Sequence, residues 1–72
     1  MSDHCVRHEK NDLWDVSARF DGPPIALHGT ERSAVREAMR LSRRTGGGTV
    51  SVYGRRGDLR RLERVKAQYL RP

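Results

Sequence analysis

The strongest structural signal in the chain lies in residues 30–48, which read TERSAVREAMRLSRRTGGG. Thr30 can cap the first turn of a helix, because its hydroxyl accepts hydrogen bonds from the backbone N–H groups left free there. Apolar and small residues then recur at the spacing of one helical stripe, which predicts an amphipathic helix with one buried face. Residues 46–48 are glycines, and glycine commonly ends a helix. The stretch therefore predicts a single helix with a signal at both ends.

Two stretches before the helix predict β-strands. Residues 4–8 suit a short first strand, and residues 14–20 alternate between apolar and polar side chains, which is the period of a half-buried strand. The polar residues 9–13 predict the turn of a hairpin that joins these strands. Residues 21–24 must end the second strand, because their two prolines have no N–H to donate to a sheet. Residues 25–27 then form a short extended piece, which is a candidate third strand.

Beyond the helix, the sequence predicts one further strand and leaves two interpretations open. Residues 49–53 alternate like a half-buried strand, and residues 54–58 read as a hairpin loop. From Leu59, apolar residues recur every three or four positions, which fits a second helix. A strand from Leu59 to about Glu63 would instead complete the hairpin, and we favour it because a glycine-flanked turn after a strand usually returns the chain. Residues 65–72 are then a basic tail that is either helical or frayed.

These elements predict one α+β domain over residues 1–72, in the order β-β-(β)-α-β-β. An antiparallel sheet of three to five strands with the helix packed across one face would bury the apolar side of every element. The expected core consists of Val6, Trp14, Val16, Phe20, Leu27, Ala34, Val35, Ala38, Leu41, Val50, Val52 and Leu59.

Composition sets limits on the class of protein. The chain has 72 residues, of which 35% are hydrophobic and 33% charged, so its core must be small. No apolar run is long enough to span a bilayer or to form the core of a signal peptide, so no membrane association is expected. The single Cys5 allows no internal disulfide, and we expect a cytoplasmic protein. Because a small sheet has exposed edges, a homodimer formed through a strand edge is one expected state.

The net charge of +6 is distributed unevenly along the chain. Residues 1–31 contain three cations and six acids, a balance of −3, whereas residues 32–72 contain twelve cations and three acids, a balance of +9. Such an asymmetry predicts a polyanionic partner for the second part. Thirteen of the fifteen cations are arginine, which forks around phosphate where lysine does not. The codon usage of a GC-rich genome would produce the same arginine content.

Arginines on three predicted surfaces are candidate contacts to nucleic acid. They are Arg36, Arg40 and Arg43 on the exposed side of the helix, Arg55, Arg56, Arg60 and Arg61 in and after the hairpin loop, and Arg19 with Tyr53 on the sheet face away from the helix. Alternation is expected to place Ser17, Arg19, Ser51, Tyr53 and Arg55 together on that face. Tyr53 could stack on a base there, or form an ordinary cross-strand aromatic contact. The helix and the sheet face cannot both lie on one straight duplex, and we favour the hairpin and sheet.

Neither a metal site nor a catalytic site is expected. His4 and His8 on one extended strand would lie more than about 10 Å apart at roughly 3.3 Å per residue, too far to share a metal ion. The other candidate ligands are the single Cys5 and His28. No nucleophile, base and orienting group converge in the pattern, and residues 46–48 follow a helix rather than precede one, unlike a phosphate-binding loop. No cofactor is expected, and the protein is interpreted as non-enzymatic.

The chain resembles the small bacterial family called domain of unknown function 2188. The matching positions are His4, Trp14-x-Val16, Thr30, Ala34, Ala38, Leu41-Ser42, Val50-x-Val52, Gly54, Gly57 and Leu59, within residues 4–63. They are core and turn positions, so the resemblance implies a fold and no catalytic or binding residue. Ser33, the three glycines and the basic tail from Arg60 depart from the family pattern. A more distant similarity, in topology alone, is to the arm-binding domains of phage integrases, which lay a sheet on DNA.

Charge and pattern together lead to one functional hypothesis and one alternative. The first is a small non-enzymatic protein that binds nucleic acid, DNA more than RNA, through arginine contacts to phosphates. The alternative is a protein-interaction module or phage-type modulator that binds an acidic surface on another protein.

Overall fold

The computed structural model describes residues 2–68. The strands are β1 (His4–His8), β2 (Trp14–Ser17), β3 (Pro24–His28), β4 (Gly48–Tyr53) and β5 (Leu59–Val65), and the helix α1 spans Glu31–Arg44. A short 3-10 turn, Lys10–Asp12, joins β1 to β2. The five strands form one sheet in the order β3-β2-β1-β4-β5, and α1 lies across its centre. The predicted α+β class is confirmed, as are both hairpins.

The sheet is mixed, so the prediction of a purely antiparallel sheet is wrong. β1 and β4 are parallel neighbours, with Val6 opposite Val52, whereas the other three pairs are antiparallel. The reason is the connection through α1, which carries the chain back over the sheet and lets β4 enter beside β1 in the same direction. Parallel neighbours require such a crossover. After the loop the chain continues as strand β5, which confirms the strand interpretation and extends it to Val65.

Both ends of α1 follow from the sequence. The Thr30 hydroxyl accepts a hydrogen bond from the Ser33 N–H at 3.1 Å, as a cap should. The helix ends at Arg44, and Gly48 already belongs to β4. Close approaches explain two of the three glycines, since a Cβ on Gly47 would lie 2.7 Å from the Val65 carbonyl oxygen and a Cβ on Gly48 would overlap the Ser2 carbonyl oxygen. Both also have positive φ, which L side chains rarely adopt.

The core lies between α1 and the sheet. It consists of Val6, Trp14, Val16, Ala34, Val35, Ala38, Val50, Val52 and Val65, with Ala26, Met39 and Leu41 packed against it. Three expected core residues, Phe20, Leu27 and Leu59, are each more than half exposed, which corrects that part of the prediction. Leu27 and Leu59 lie on the sheet face that α1 does not cover, and Phe20 lies beyond the end of β2.

The face away from α1, called the open face below, is partly covered by residues 18–22. β2 ends at Ser17, three residues before the predicted end, and the chain then turns back so that the Phe20 ring contacts Tyr53 with centroids 4.7 Å apart. The Ser17 hydroxyl donates to the Arg19 carbonyl at 2.7 Å, which stabilises the turn. Asp15 and Ser17, predicted to face solvent, are consequently buried.

A charged pair fills the space beneath this segment. Arg7 lies opposite Asp15 and donates two hydrogen bonds to its carboxylate, at 2.9 and 3.1 Å. A third guanidinium N–H donates to the Phe20 carbonyl oxygen, which ties residues 18–22 to β1. The hydrogen bonds to Asp15 raise the pKa of Arg7 above its ordinary value. Glu9 lies near the same carboxylate, and its hydrogen bond with Asp15 raises the pKa of Glu9.

Candidate nucleic-acid interface

The strand order places the acidic and the basic parts of the sequence at different sides of the sheet. β3, β2 and β1, from the acidic part of the chain, occupy one side of the sheet, and β4 and β5 occupy the other. β5 contributes Arg60, Arg61 and Arg64, and all three are exposed. The cations of residues 32–66 therefore lie on α1 and on the β4–β5 side of the sheet.

The predicted arginines of α1 lie on its exposed side. Arg36, Arg40 and Arg43 are exposed, as the helical spacing predicts. Arg40 forms an ion pair with Glu37, one turn earlier. Arg36 and Arg43 have no ion-pair partner in the described part of the chain.

The hairpin positions Arg55 and Arg56 by its tight turn. The Gly54 N–H donates to the Asp58 carbonyl at 2.8 Å, and Gly57 adopts a positive φ of 81°. Both arginines are exposed, but the Arg55 guanidinium lies 3.0 Å from Asp12 in the β1–β2 turn. The Asp12 carboxylate also bonds to His8 at 3.2 Å. The pKa of Asp12 is held below its ordinary value, mainly by the hydrogen bond with His8 and to a smaller extent by the positive charge of Arg55.

The two predicted arginines of β5 differ in their surroundings. Arg60 reaches the first turn of α1 and forms an ion pair with Glu31 at 3.1 Å. Arg61 lies opposite Val52 and is exposed, with no ion-pair partner among residues 2–68. A Cβ on Gly54 would lie 2.7 Å from the Arg60 side chain, so this glycine leaves room for Arg60.

The predicted cluster on the open face does not form. Ser17 is buried beneath the turn, Arg19 lies past the end of β2, and Arg55 belongs to the hairpin loop. Tyr53 does lie on the open face, but its ring packs against Phe20. The contact is aromatic, but Phe20 lies past the end of β2, so it is not the cross-strand pair that was the alternative to base stacking.

A basic groove lies at the C-terminal end of α1. Its volume is about 580 Å³, and the described residues that line it are Arg40, Arg43, Arg44 and Gln68. The Gln68 N–H donates to the Arg43 carbonyl at 3.0 Å, so the chain after β5 closes one side of the groove. Sequence reasoning did not select Gln68, because the path of the chain after Val65 was left open. Arg44 lies beside the predicted arginines of α1 but was not among the selected residues. The rest of that predicted tail, residues 69–72, lies outside the described residues.

The ion pairs divide the eight predicted arginines into two groups. Arg40, Arg55 and Arg60 have carboxylate partners, whereas Arg19, Arg36, Arg43, Arg56 and Arg61 have none within residues 2–68. Two of the three pairs hold arginines of the β4–β5 hairpin, since Arg55 is paired with Asp12 and Arg60 with Glu31. The C-terminal turn of α1, with Arg43 and Arg44, has no such pair in the described structure. The groove therefore combines a concave surface with two neighbouring guanidinium groups, those of Arg43 and Arg44, that have no carboxylate partner within residues 2–68.

A second, smaller groove lies beside β3. Its volume is about 230 Å³, and it is lined by His28, Ser33, Arg36, Glu37 and Arg40. His28 Nε2 is buried without a hydrogen-bond partner in the described structure, and it lies 3.8 Å from a Glu37 carboxylate oxygen. The groove thus contains cations and one acid, so its charge is more balanced than that of the groove at the end of α1.

Other kinds of site find no support in the described residues. Over residues 2–68, no group of three or more His, Cys, Asp or Glu side chains is arranged to hold a metal ion. Burial raises the pKa of the half-buried Cys5 thiol above its ordinary value, which lowers its thiolate fraction. No helix in the part of the chain that the structure describes combines the length and the apolar character needed to cross a membrane.

Comparison with known proteins identifies the family to which the chain belongs. No curated protein and no solved structure matches the chain. A family model described as an uncharacterized protein conserved in bacteria, DUF2188, matches residues 3–63, which include all five strands except the last two residues of β5. This match covers most of the chain and confirms the resemblance found from its core and turn positions. The chain therefore belongs to the DUF2188 family of bacterial proteins.

Proposed function

We propose that the protein is a non-enzymatic, cytoplasmic nucleic-acid-binding protein that holds phosphates with arginines, with duplex DNA as its preferred partner. The observation that carries the proposal is the groove at the end of α1, where Arg43 and Arg44 have no carboxylate partner in the described structure. Guanidinium groups bind phosphate through paired N–H donors, and an open groove lets a phosphate approach them.

The electrostatics of α1 support an anionic partner. Arg36, Arg40 and Arg43 follow one another at spacings of four and three residues, so their charges are neighbours on the helix surface. Like charges at this spacing destabilise a helix, and only Arg40 has an acidic partner in the described structure. A bound phosphate would remove the repulsion, so binding and helix stability would be coupled.

The protein is expected to contact the phosphates of the nucleic acid rather than its bases. Arg43 and Arg44 sit on a helix whose opposite side is buried, so they reach outward from a fixed surface. The ring of Tyr53, which was predicted to stack on a base, packs against Phe20. Phosphate contacts carry little sequence information but depend steeply on salt.

A charge-matched pair of double variants tests the groove. We expect Arg43→Gln with Arg44→Gln to weaken binding of a labelled DNA duplex by about tenfold or more near 0.1 M salt and to reduce the salt slope by about two. The control, Arg55→Gln with Arg60→Gln, removes the same charge from two guanidinium groups that already have carboxylate partners. Fluorescence anisotropy over a salt series, with single-stranded DNA and duplex RNA as parallel probes, measures each effect.

Two results would contradict different parts of the proposal. If the unmodified protein does not bind any of the three probes at about 0.05 M salt, the function itself is wrong. If the control variant loses as much affinity as the groove variant, the protein binds through its overall charge and the groove is not the site. Thermal unfolding of all variants separates a loss of binding from a loss of fold.

The alternative function, binding to an acidic surface on another protein, has one observation in its favour. Leu59 and Leu62 are more than half exposed on β5 and are interspersed with arginines. Protein interfaces combine exposed apolar groups with arginine in this way. Capture of a protein that survives nuclease treatment, and that is lost with Leu62→Ser, would support this function instead of the first.

A further inference from the structure

The two edges of the sheet differ in how they are protected against pairing with another strand. β5 carries Arg60, Arg61, Glu63 and Arg64 along its length, and charged side chains on an edge strand discourage further pairing. β3, with the sequence PIALH, has no acidic, lysine or arginine side chain. Its two large aliphatic side chains, Ile25 and Leu27, are 54% and 56% exposed. β3 is therefore an uncharged, apolar edge.

We propose that β3 pairs antiparallel with β3 of a second copy of the chain. A two-fold axis near Ala26 places Ile25 of one copy opposite Leu27 of the other, so both exposed side chains gain an apolar neighbour. Ile25 is 54% exposed, and because the register between β2 and β3 shifts there, it has no cross-strand neighbour on β2. The strand is complementary to itself, and such self-complementarity is what an isologous dimer requires.

The charge distribution favours the same edge. β3 lies at the opposite side of the sheet from β5, in the part of the chain whose balance is −3. Two copies that meet at β3 keep their basic parts at the far ends of a ten-stranded sheet. Two copies that meet at β5 would bring two basic strands side by side, and like charges that close repel. The charge distribution and the absence of charged side chains on β3 thus favour the same edge, whereas apolar exposure does not separate the two edges, since Leu59 and Leu62 of β5 are as exposed as Ile25 and Leu27.

The size of the contact sets the expected affinity. Stable protein interfaces bury at least about 1,200 Å² in total, and two five-residue strands with two exposed aliphatic side chains each fall below this. We therefore expect a reversible dimer with a dissociation constant on the order of 10–100 µM. The inference does not rest on the proposed function, because it concerns the protein without nucleic acid.

Sedimentation velocity of the nucleic-acid-free protein tests the inference. Over about 10 µM to 1 mM protein, the mass should rise from 8.2 kDa toward twice that value. Leu27→Lys places a charge on the β3 edge and should weaken the dimer by about tenfold or more. Leu62→Lys is the matched control, since it introduces the same residue at an equally exposed leucine on the other edge. Amide chemical shifts that change on dilution should be concentrated in residues 25–28, the residues of β3 that have an N–H.

Each contrary outcome overturns the inference. A protein of monomer mass at every concentration would show that β3 does not recruit a second copy. Equal weakening by Leu27→Lys and Leu62→Lys would place the contact elsewhere. Binding of an unrelated extended peptide at β3 by a protein that stays monomeric would assign the edge to a different partner.

Discussion

The two faces of the sheet are stabilised by different forces, and Val6 and Arg7 show the contrast in consecutive residues. Val6 faces α1, is fully buried, and lies between Val16 of β2 and Val52 of β4. Arg7 faces the other way and is held by the Asp15 carboxylate and the Phe20 carbonyl oxygen. One face is stabilised by apolar packing and the other by a charged pair beneath a turn.

The difference shows how a small sheet can bury side chains on both faces although the described residues form one helix. Apolar packing excludes water from the helix face, because the alanines at 34 and 38 let α1 lie close to the valines. Over residues 2–68 the open face has no second layer, and residues 18–22 instead fold back over it and are fixed there by hydrogen bonds. Such a cover depends on its polar contacts, since Phe20 itself is half exposed.

Breaking the charged pair should have the largest effect. Arg7→Met removes the partner of Asp15, whose side chain is fully buried, and leaves a buried carboxylate beside Glu9. Loss of one member of a buried ion pair costs about 3 kcal/mol or more in the free energy of unfolding. The measurement is urea-induced unfolding followed by the fluorescence of Trp14, the single tryptophan.

A double variant sharpens this prediction. Asp15→Leu in the Arg7→Met background removes the unpaired charge, and apolar replacements of buried ion pairs are often close to neutral. We expect the double variant to recover at least half of the lost stability. If it is as unstable as Arg7→Met alone, the cost comes from the lost hydrogen bond to the Phe20 carbonyl oxygen, and the unpaired Asp15 charge contributes little.

The two faces also differ in how far they could be predicted from sequence. Alternation in β1, β2 and β4 correctly assigned Val6, Val16, Val50 and Val52 to the core, because apolar periodicity records burial directly. The same alternation assigned Asp15 and Ser17 to solvent, and they are buried. Their burial depends on Arg7, eight residues from Asp15, and on a turn that starts after Ser17, earlier than the break that the sequence predicts at residues 21–24.

The candidate site was predictable only in part, since Arg40 and Arg43 of the groove were selected from the sequence and Arg44 and Gln68 were not. Spacing along the helix correctly placed Arg36, Arg40 and Arg43 on an exposed surface. It could not show which guanidinium groups are paired, because Arg55 meets Asp12 and Arg60 meets Glu31 across 43 and 29 residues of sequence. The groove depends on the position of Gln68, which follows from the path of the chain after β5.

A smaller effect is expected on the helix face. Val6→Ala removes two methyl groups from a fully buried site and leaves a cavity next to Val16 and Val52, at a cost of about 2 kcal/mol. The same urea titration measures it, and the slope with denaturant should not change. Val6→Ile, which overfills the same site, is the matched control for shape, and it should also destabilise. A Val6→Ala cost equal to that of Arg7→Met would mean that packing and charge contribute alike.

The smallest effect concerns pH, which separates the two kinds of contact. The Thr49 N–H donates to the Asp3 carboxylate at 2.9 Å, and this hydrogen bond lowers the pKa of Asp3 below its ordinary value of 3.8. A carboxyl group whose pKa is lowered by folding stabilises the protein fully above its ordinary pKa, and the contribution is lost as pH falls through the lowered value. Asp3→Asn keeps an acceptor for Thr49 but cannot titrate, so its stability deficit at pH 7 should shrink toward zero as the pH falls below about 3.8. Glu9 opposes this trend, because its raised pKa favours the folded state at lower pH, but Asp3→Asn leaves Glu9 unchanged.

The deficit of Val6→Ala should be the same at every pH, since the removed methyl groups carry no charge. Urea titrations of both variants from pH 7 to pH 3 measure the two deficits. A pH-independent deficit for Asp3→Asn would show that the Asp3–Thr49 contact acts through its geometry and not through its charge.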